Sequence, residues 1–151
     1  MILLGSGETD RAQGYFQEMI DKDKNVPLAY VGLARVFTAK KQYPEALALL
    51  EKVLAQNDQE IAAEAQFLIG EVYRSQQDCQ SAVIAYLKVK YLYGSAVSWV
   101  AQSLFHAAEC NERLERLADA RRLYNSIITE YASEKDLAEK AQQRLKALLG
   151  A

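Results

Sequence analysis

The sequence predicts an all-α chain of helical hairpins in series, and three observations carry that reading. Ala34 and Ala46, Gly70 and Ala82, and Ala108 and Ala120 are each separated by twelve positions. Small residues at a fixed offset across a short turn mark where two antiparallel helices cross too closely for a larger side chain, and three such crossings make a structural repeat. Apolar residues recur at helical period: Ile61, Ala65, Leu68, Ile69, Val72 and Tyr73 share one face, and Ala82, Tyr86, Val89 and Tyr93 share another. With two prolines in 151 residues and no alternating apolar run, nothing in the chain reads as a strand.

Punctuation sets the boundaries. Thr9 is expected to cap the first helix after the flexible Gly5-Ser6-Gly7 turn, which lacks the Gly-Lys-Ser/Thr ending of a phosphate loop. Pro44 falls in the first turn of a helix, where its missing N–H is not needed. Asn57 with Glu60 and Ser133 with Asp136 have the form of capping boxes, and Asp78 is placed to cap the second helix of the middle hairpin. Gly94 stands where a helix should end in a left-handed residue. Helices are therefore expected at about 9–22, 27–40, 44–56, 59–76, 79–93, 97–114, 117–131 and 134–149.

Composition narrows the function classes. The length suits one domain with a continuous core. A formal charge of −2 offers no basic field for nucleic acid or anionic lipid. No apolar run has membrane-spanning length, and Met1–Leu4 lacks the length and basic start of a signal sequence. Cys79 and Cys110 match neither a zinc-ligand spacing nor a disulfide framework and read as two small buried or half-buried thiols, with a redox role or a single bridge as the alternative.

Superposing the hairpins aligns Tyr30, Leu33-Ala34, Phe37, Ala46, Leu50 and Val53 with Ile69-Gly70, Tyr73, Ala82, Tyr86 and Val89, and with Leu104, Ala107-Ala108, Ala120, Tyr124 and Ile127. Ala12, Phe16 and Met19 match the second-helix half of a preceding unit. The pattern resembles the tetratricopeptide repeat over nearly the whole chain. The resemblance implies a right-handed solenoid of antiparallel helix hairpins acting by non-catalytic protein–protein interaction. There are two departures. The steps from Ala34 to Gly70 and from Gly70 to Ala108 are 36 and 38 residues, against about 34 in the family. With the within-hairpin spacing constant, the additions imply lengthened first helices. Asn111 also replaces the aromatic expected in the third unit, which predicts a poorer crossing there.

Ala65-Gln66-Phe67, Gly70-Glu71-Val72-Tyr73 and Tyr131-Ala132-Ser133 with Ala141 and Arg144-Leu145 resemble bacterial envelope members of this superfamily, of the Tol–Pal-associated coordinator and outer-membrane assembly lipoprotein kinds. Gly94 and Ala132 stand where those proteins carry proline.

Catalytic chemistry finds little support. His106 is the single histidine, which excludes histidine metal clusters and leaves no catalytic dyad; it reads as structural. Glu109 with Glu112, and Arg121-Arg122, read as solvated surface. No catalytic residue, metal site or cofactor is predicted. The resemblance places a concave, partner-binding face on the first helices, at Val31, Arg35 and Thr38, at Phe67, Glu71 and Arg74, and at Phe105, Glu109, Glu112 and Arg113. Val31, Phe67 and Phe105 would floor a groove for an extended or helical peptide, the alternative for both phenylalanines being interior packing between repeats. Trp99 with Tyr91 and Tyr93 is either a binding cluster or packing between the second and third hairpins. Arg35, Glu71 and Glu109 do not reproduce the Lys/Asn/Arg clamp with which some family members hold a terminal carboxylate.

The expected organisation is one domain over 1–151: a half repeat at 9–22, repeats at 27–58, 59–96 and 97–132, and a C-terminal capping helix at 133–151. The expected partner is a protein or peptide, without nucleic acid or direct membrane insertion. The alternatives are an envelope coordinator or a docking segment of a larger enzyme or secretion machine, in the bacterial periplasm or envelope or in the cytoplasm. Phe16, Met19 and Ile20 are expected to leave apolar surface at the N-terminal edge. That surface implies either excision from a longer array or self-association through this edge.

Overall fold

The computed structural model describes residues 6–56 and 58–150. Eight helices follow one another: α1 (Ser6–Lys22), α2 (Pro27–Ala39), α3 (Tyr43–Leu54), α4 (Gln59–Ser75), α5 (Cys79–Leu92), α6 (Val97–Arg113), α7 (Leu117–Glu130) and α8 (Lys135–Leu149). No strand occurs among the described residues. The first helices do lengthen along the chain, from 13 residues in α2 to 17 in both α4 and α6. A lengthened first helix thus accounts for α4, but the two further residues of the second step lie in the second helix α5, 14 residues against 12 in α3.

Each helix packs on its neighbour in sequence, and α2 on α4, α4 on α6 and α6 on α8. No such contact joins α1 to α3, α3 to α5 or α5 to α7 among the described residues. Two rows spaced unequally must curve toward the closer one, so the even-numbered helices form the inner face of a solenoid and the odd-numbered ones its outer face. Leu33, Leu50, Val72, Tyr86, Val89, Val100, Leu104, Tyr124 and Ile127 are sealed between the rows. Each apolar side chain enclosed there stabilises by about 1.5–3 kcal/mol.

The crossings are as tight as the small residues predict, but the filling group differs. A Cβ on Gly70 would meet the ring of Tyr86, one turn beyond Ala82. Gly32 likewise makes room for the ring of Phe16. That contact half-buries Phe16, as packing on the core does Ile20, and Met19 is also half-buried; among the described residues the large exposed apolar side chain on α1 is Tyr15.

Several caps fall elsewhere than expected. Asp78 does cap α5, its carboxylate accepting the Ser81 N–H at 3.0 Å. Asn57 lies outside the described residues, and Asp58 caps α4 by accepting the N–H groups of Glu60 and Ile61. Thr9 lies inside α1 instead of capping it. Ser133 precedes the start of α8 by two residues; Glu134 holds the cap position without a side-chain cap bond and accepts the Ser98 hydroxyl at 2.9 Å instead. Gly94 is not left-handed, because α5 ends on Tyr93 at φ −131°.

Among the described residues the left-handed ones are Lys41, Gln77 and Glu115, with φ of 61°, 63° and 59°. Each directly precedes the residue whose N–H reaches back to close the first helix of a hairpin: Gln42 to Phe37 O, Asp78 to Tyr73 O and Arg116 to Asn111 O. This is the Schellman closure, which usually employs glycine. Asn111 therefore takes part in the same closure as Phe37 and Tyr73, and it is buried.

Candidate functional site

Curvature brings the exposed faces of α2, α4, α6 and α8 side by side, and their charged residues tie adjacent helices together. Arg35 Nη2 on α2 donates to Glu64 Oε1 on α4 at 2.8 Å. Arg74 Nη2 on α4 donates to Glu71 Oε2 at 2.8 Å, and its Nη1 lies 3.4 Å from Glu109 Oε2 on α6. Farther along, Arg144 on α8 grips Glu112 on α6 through both Nε and Nη2. Glu112 also accepts the Tyr124 hydroxyl at 2.5 Å, and Glu71 accepts that of Tyr86. These two tyrosines link the inner row to the core.

His106 stands at the centre of this network. Its Nδ1 lies 2.9 Å from Arg74 Nη1 and 3.0 Å from Glu109 Oε2. A guanidinium can only donate and a carboxylate only accept, so one nitrogen cannot serve both at once. With Nδ1 unprotonated the imidazole accepts from Arg74; with Nδ1 protonated it donates to Glu109. The hydrogen bond from His106 holds the Glu109 carboxyl below the usual carboxylate range, against partial burial and with help from Arg74 and Arg113. Burial alone would lower the Arg74 pKa, but Glu71, Tyr86 and Glu109 outweigh it and the guanidinium is held more firmly charged. Burial, then Glu71, pushes the Tyr86 phenol upward, and burial, then Glu112, does the same for Tyr124.

The ten residues expected on the inner face divide into three groups. Glu71, Arg74 and Glu109 meet around His106, Arg35 pairs separately with Glu64 and Glu112 with Arg144, while Thr38 turns its hydroxyl to the Ala34 carbonyl and Arg113 is exposed at the end of α6. Val31, Phe67 and Phe105, the expected groove floor, are only 3%, 7% and 9% exposed. Phe67 packs against Tyr86, Trp99 and His106 with ring centroids 5.4–5.7 Å apart, and Phe105 lies edge-on to Tyr124 at 5.5 Å. These rings are interior packing and present little surface to a partner. The aromatic cluster splits in the same way: Trp99 and Tyr93 pack on the core, whereas Tyr91 points outward.

Sequence reasoning missed Glu64, His106 and Arg144. Glu64 was discoverable, because 64, 67, 71 and 74 share one helical face. His106 was not, since the partner that gives it meaning, Arg74, is 32 positions away.

Between α6 and the start of α8 the inner row opens into a cavity of about 550 Å³, lined by Gln102, Phe105 and His106 on one side and by Ser133 to Leu137 and Lys140 on the other. Among the described residues no cluster of three or more His, Cys, Asp or Glu could hold a metal ion, and no helix is long and apolar enough to cross a membrane. Cys79 and Cys110 are free and buried; burial and the neighbouring Cys79 thiol push Cys110 up to about 12, which leaves it a poor nucleophile.

Comparison with known proteins agrees with this architecture. Tetratricopeptide repeat models match residues 3–68, 42–96 and 102–133. The crystal structure of MamA superposes with a TM-score of 0.63 at 19% identity, covering 95% of this chain and 88% of MamA. That likeness is one of fold. No curated protein sequence matches significantly. Tetratricopeptide domains are in general non-catalytic modules that bind protein partners. Three repeat matches, serial hairpins and two unequally spaced helix rows lead to one assignment: the chain belongs to the tetratricopeptide repeat family.

Proposed function

We propose that this protein is an interaction scaffold whose inner row, α2, α4, α6 and α8, receives an extended or helical segment of a protein partner. The observation that supports the reading most is the charged network along that row. Arg35, Glu71, Arg74, Glu109 and Glu112 lie on successive inner helices, and each is already held by a neighbour. Side chains fixed in this way lose little entropy when a partner docks, so they recognise polar groups at low cost. Arg113 at the end of α6 and Lys140 at the cavity edge form no ion pair among the described residues and add positive charge beside this network. The cavity between α6 and α8 gives a partner side chain a place to enter. Val31, Phe67 and Phe105 act beneath the surface, supporting the helices that carry the polar residues.

Affinity capture with the whole chain as bait, followed by mass spectrometry, identifies the partner. Affinities of Arg35→Ala, Arg74→Ala and Glu109→Ala then test the face. The expected result is a loss of about tenfold or more for at least one variant, as for a dominant interface residue. Variants that are all folded and all bind at wild-type affinity would remove the inner row from the interface.

A further inference from the structure

The outer face of α5 does not look like that of its neighbours. Its inward side buries Ala82, Val83, Ala85, Tyr86 and Val89. Its outward side carries Ile84, Tyr91 and Leu92, spaced i, i+7, i+8 and 56%, 79% and 58% exposed. At the equivalent positions α3 and the turn after it carry Ala48, Ala55 and Gln56 and α7 carries Arg122, Thr129 and Glu130, with no large apolar side chain among them. Gln80 and Lys88 lie among these side chains, but three large apolar residues exposed on one helix face mark a surface that is normally covered.

The surface beside α5 has a definite shape and charge. The backbones of α3 and α5 do not approach closely among the described residues, and an open cavity of about 290 Å³ lies between them, with Ile69 and Tyr73 of α4 as floor and Leu54 and Ile84 as walls. The Gln66 side-chain amide beneath it donates to the Ala85 carbonyl at 3.1 Å, so that donor is already occupied. Glu51 stands on the α3 rim and Lys88 on the α5 rim, and neither forms an ion pair among the described residues. By contrast, Lys90 on the same helix is engaged by Glu130 at 3.0 Å. An occupant that satisfies this groove needs an apolar ridge with a carboxylate toward Lys88 and a cation toward Glu51. An anionic lipid surface would suit Lys88 but be repelled by Glu51.

We propose that the α3–α5 groove on the outer face, continued by Ile84, Tyr91 and Leu92, is a second docking surface that takes an amphipathic helix of a protein partner, its apolar ridge flanked by acid on one side and base on the other. It is separate from the inner row and does not depend on the function proposed for that row.

The probe is a synthetic helix of about 18 residues, or five turns, with leucines at helical spacing, glutamates on one flank and lysines on the other. Its companions carry glutamates on both flanks, lysines on both flanks, or serines in place of the leucines. Titration into the ¹⁵N-labelled full chain reads out both site and affinity. The mixed-flank peptide should shift resonances of α3, α5 and the α4 floor, with a dissociation constant of tens to hundreds of micromolar. Tyr91→Ala combined with Ile84→Ala should weaken it about tenfold. Lys88→Glu should turn the preference toward the doubly basic peptide, and Arg74→Ala should change nothing. These are exposed positions, and circular dichroism confirms that each variant folds. Shifts confined to the inner row, an unaltered preference in Lys88→Glu, or no binding of the mixed-flank peptide would overturn the proposal. So would self-association of the chain, or cosedimentation with phosphatidylglycerol vesicles, that Tyr91→Ala abolishes, since the occupant would then be a second copy or a membrane.

Discussion

The ring of Tyr86 lies over Gly70 so closely that a Cβ on that glycine would stand 2.5 Å from Cδ1 and 2.9 Å from Cζ. Tyr86 is fully buried, and its hydroxyl is tied to Glu71, so the ring has nowhere to go. In an open helix Gly→Ala gains about 1 kcal/mol. Here overpacking of about 1–3 kcal/mol outweighs that gain. Gly70→Ala is therefore expected to lower the melting temperature, and Gly70→Leu to lower it further. A thermal melt in which Gly70→Ala is more stable than the parent would contradict the packing described.

The opposite sign is expected at the hairpin turns. Lys41, Gln77 and Glu115 adopt the left-handed conformation that costs a side chain-bearing residue about 1–2 kcal/mol. Glycine removes that cost but loses about 0.5–1 kcal/mol of chain entropy. Gln77→Gly should accordingly stabilise by roughly 0.5–1 kcal/mol in urea unfolding. The same substitution at Gly94's neighbour Tyr93, where φ is −131°, should bring no such gain.

Phe67 and Arg74 separate structure from recognition. Phe67→Ala empties a space between Tyr86, Trp99 and His106 and should cost about 3–5 kcal/mol. Arg74→Ala removes a half-exposed side chain and should cost far less stability while reducing partner affinity. Paired melting and binding measurements on the two variants check this division. A Phe67→Ala chain as stable as wild type would return that ring to the surface.

Acid should weaken the inner row before it weakens the core. Glu109 titrates below its ordinary value in the folded chain, chiefly through the bond from His106. A carboxyl whose folded pKa is depressed contributes stability above its unfolded value, about 4.3. That contribution is lost as pH falls from there through the folded value. Glu109→Gln should flatten this part of the stability–pH profile, measured by urea midpoints between about pH 6 and pH 3. An unchanged slope would mean that the His106–Glu109 bond does not persist in solution.

What was legible in the sequence follows from the range of the interactions involved. Helix positions were readable because the periodicity of residues such as Ile69, Val72 and Tyr73 is a property of one segment. Gly70 and Ala82 marked their crossing for the same local reason, although the ring in contact with Gly70 belongs to Tyr86. Turn chemistry misled: Gly94 was expected to be left-handed, whereas Lys41, Gln77 and Glu115 are, because the hairpin geometry imposes that conformation on whatever residue occupies the position. On the inner row, Arg35, Glu71, Arg74, Glu109 and Glu112 were placed by the resemblance of the hairpins to tetratricopeptide repeats, which aligns one face of successive first helices. Whether a residue on that face is surface or interior depends on how far the next helix leans over it. Phe67 is covered by Trp99 and His106 of the next repeat and Phe105 by Tyr124 of its own hairpin, contacts that the period of one helix does not reveal.

The pattern of helix contacts also governs how the chain comes apart. Among the described residues every helix packs only on its first or second neighbour, and the widest-spanning ion pair joins positions 40 apart. Nothing among the described residues holds one end of the array to the other. A chain wired this way assembles from local encounters and pays small loop-closure entropy at each step. It should also fray inward from its termini, as a stack of units coupled only to their neighbours does. Amide exchange should accordingly be slowest in α4, α5 and α6 and fastest in α1 and α8. The middle hairpin, where the Glu71–Arg74–His106–Glu109 network sits, is then the last part of the solenoid to lose its shape.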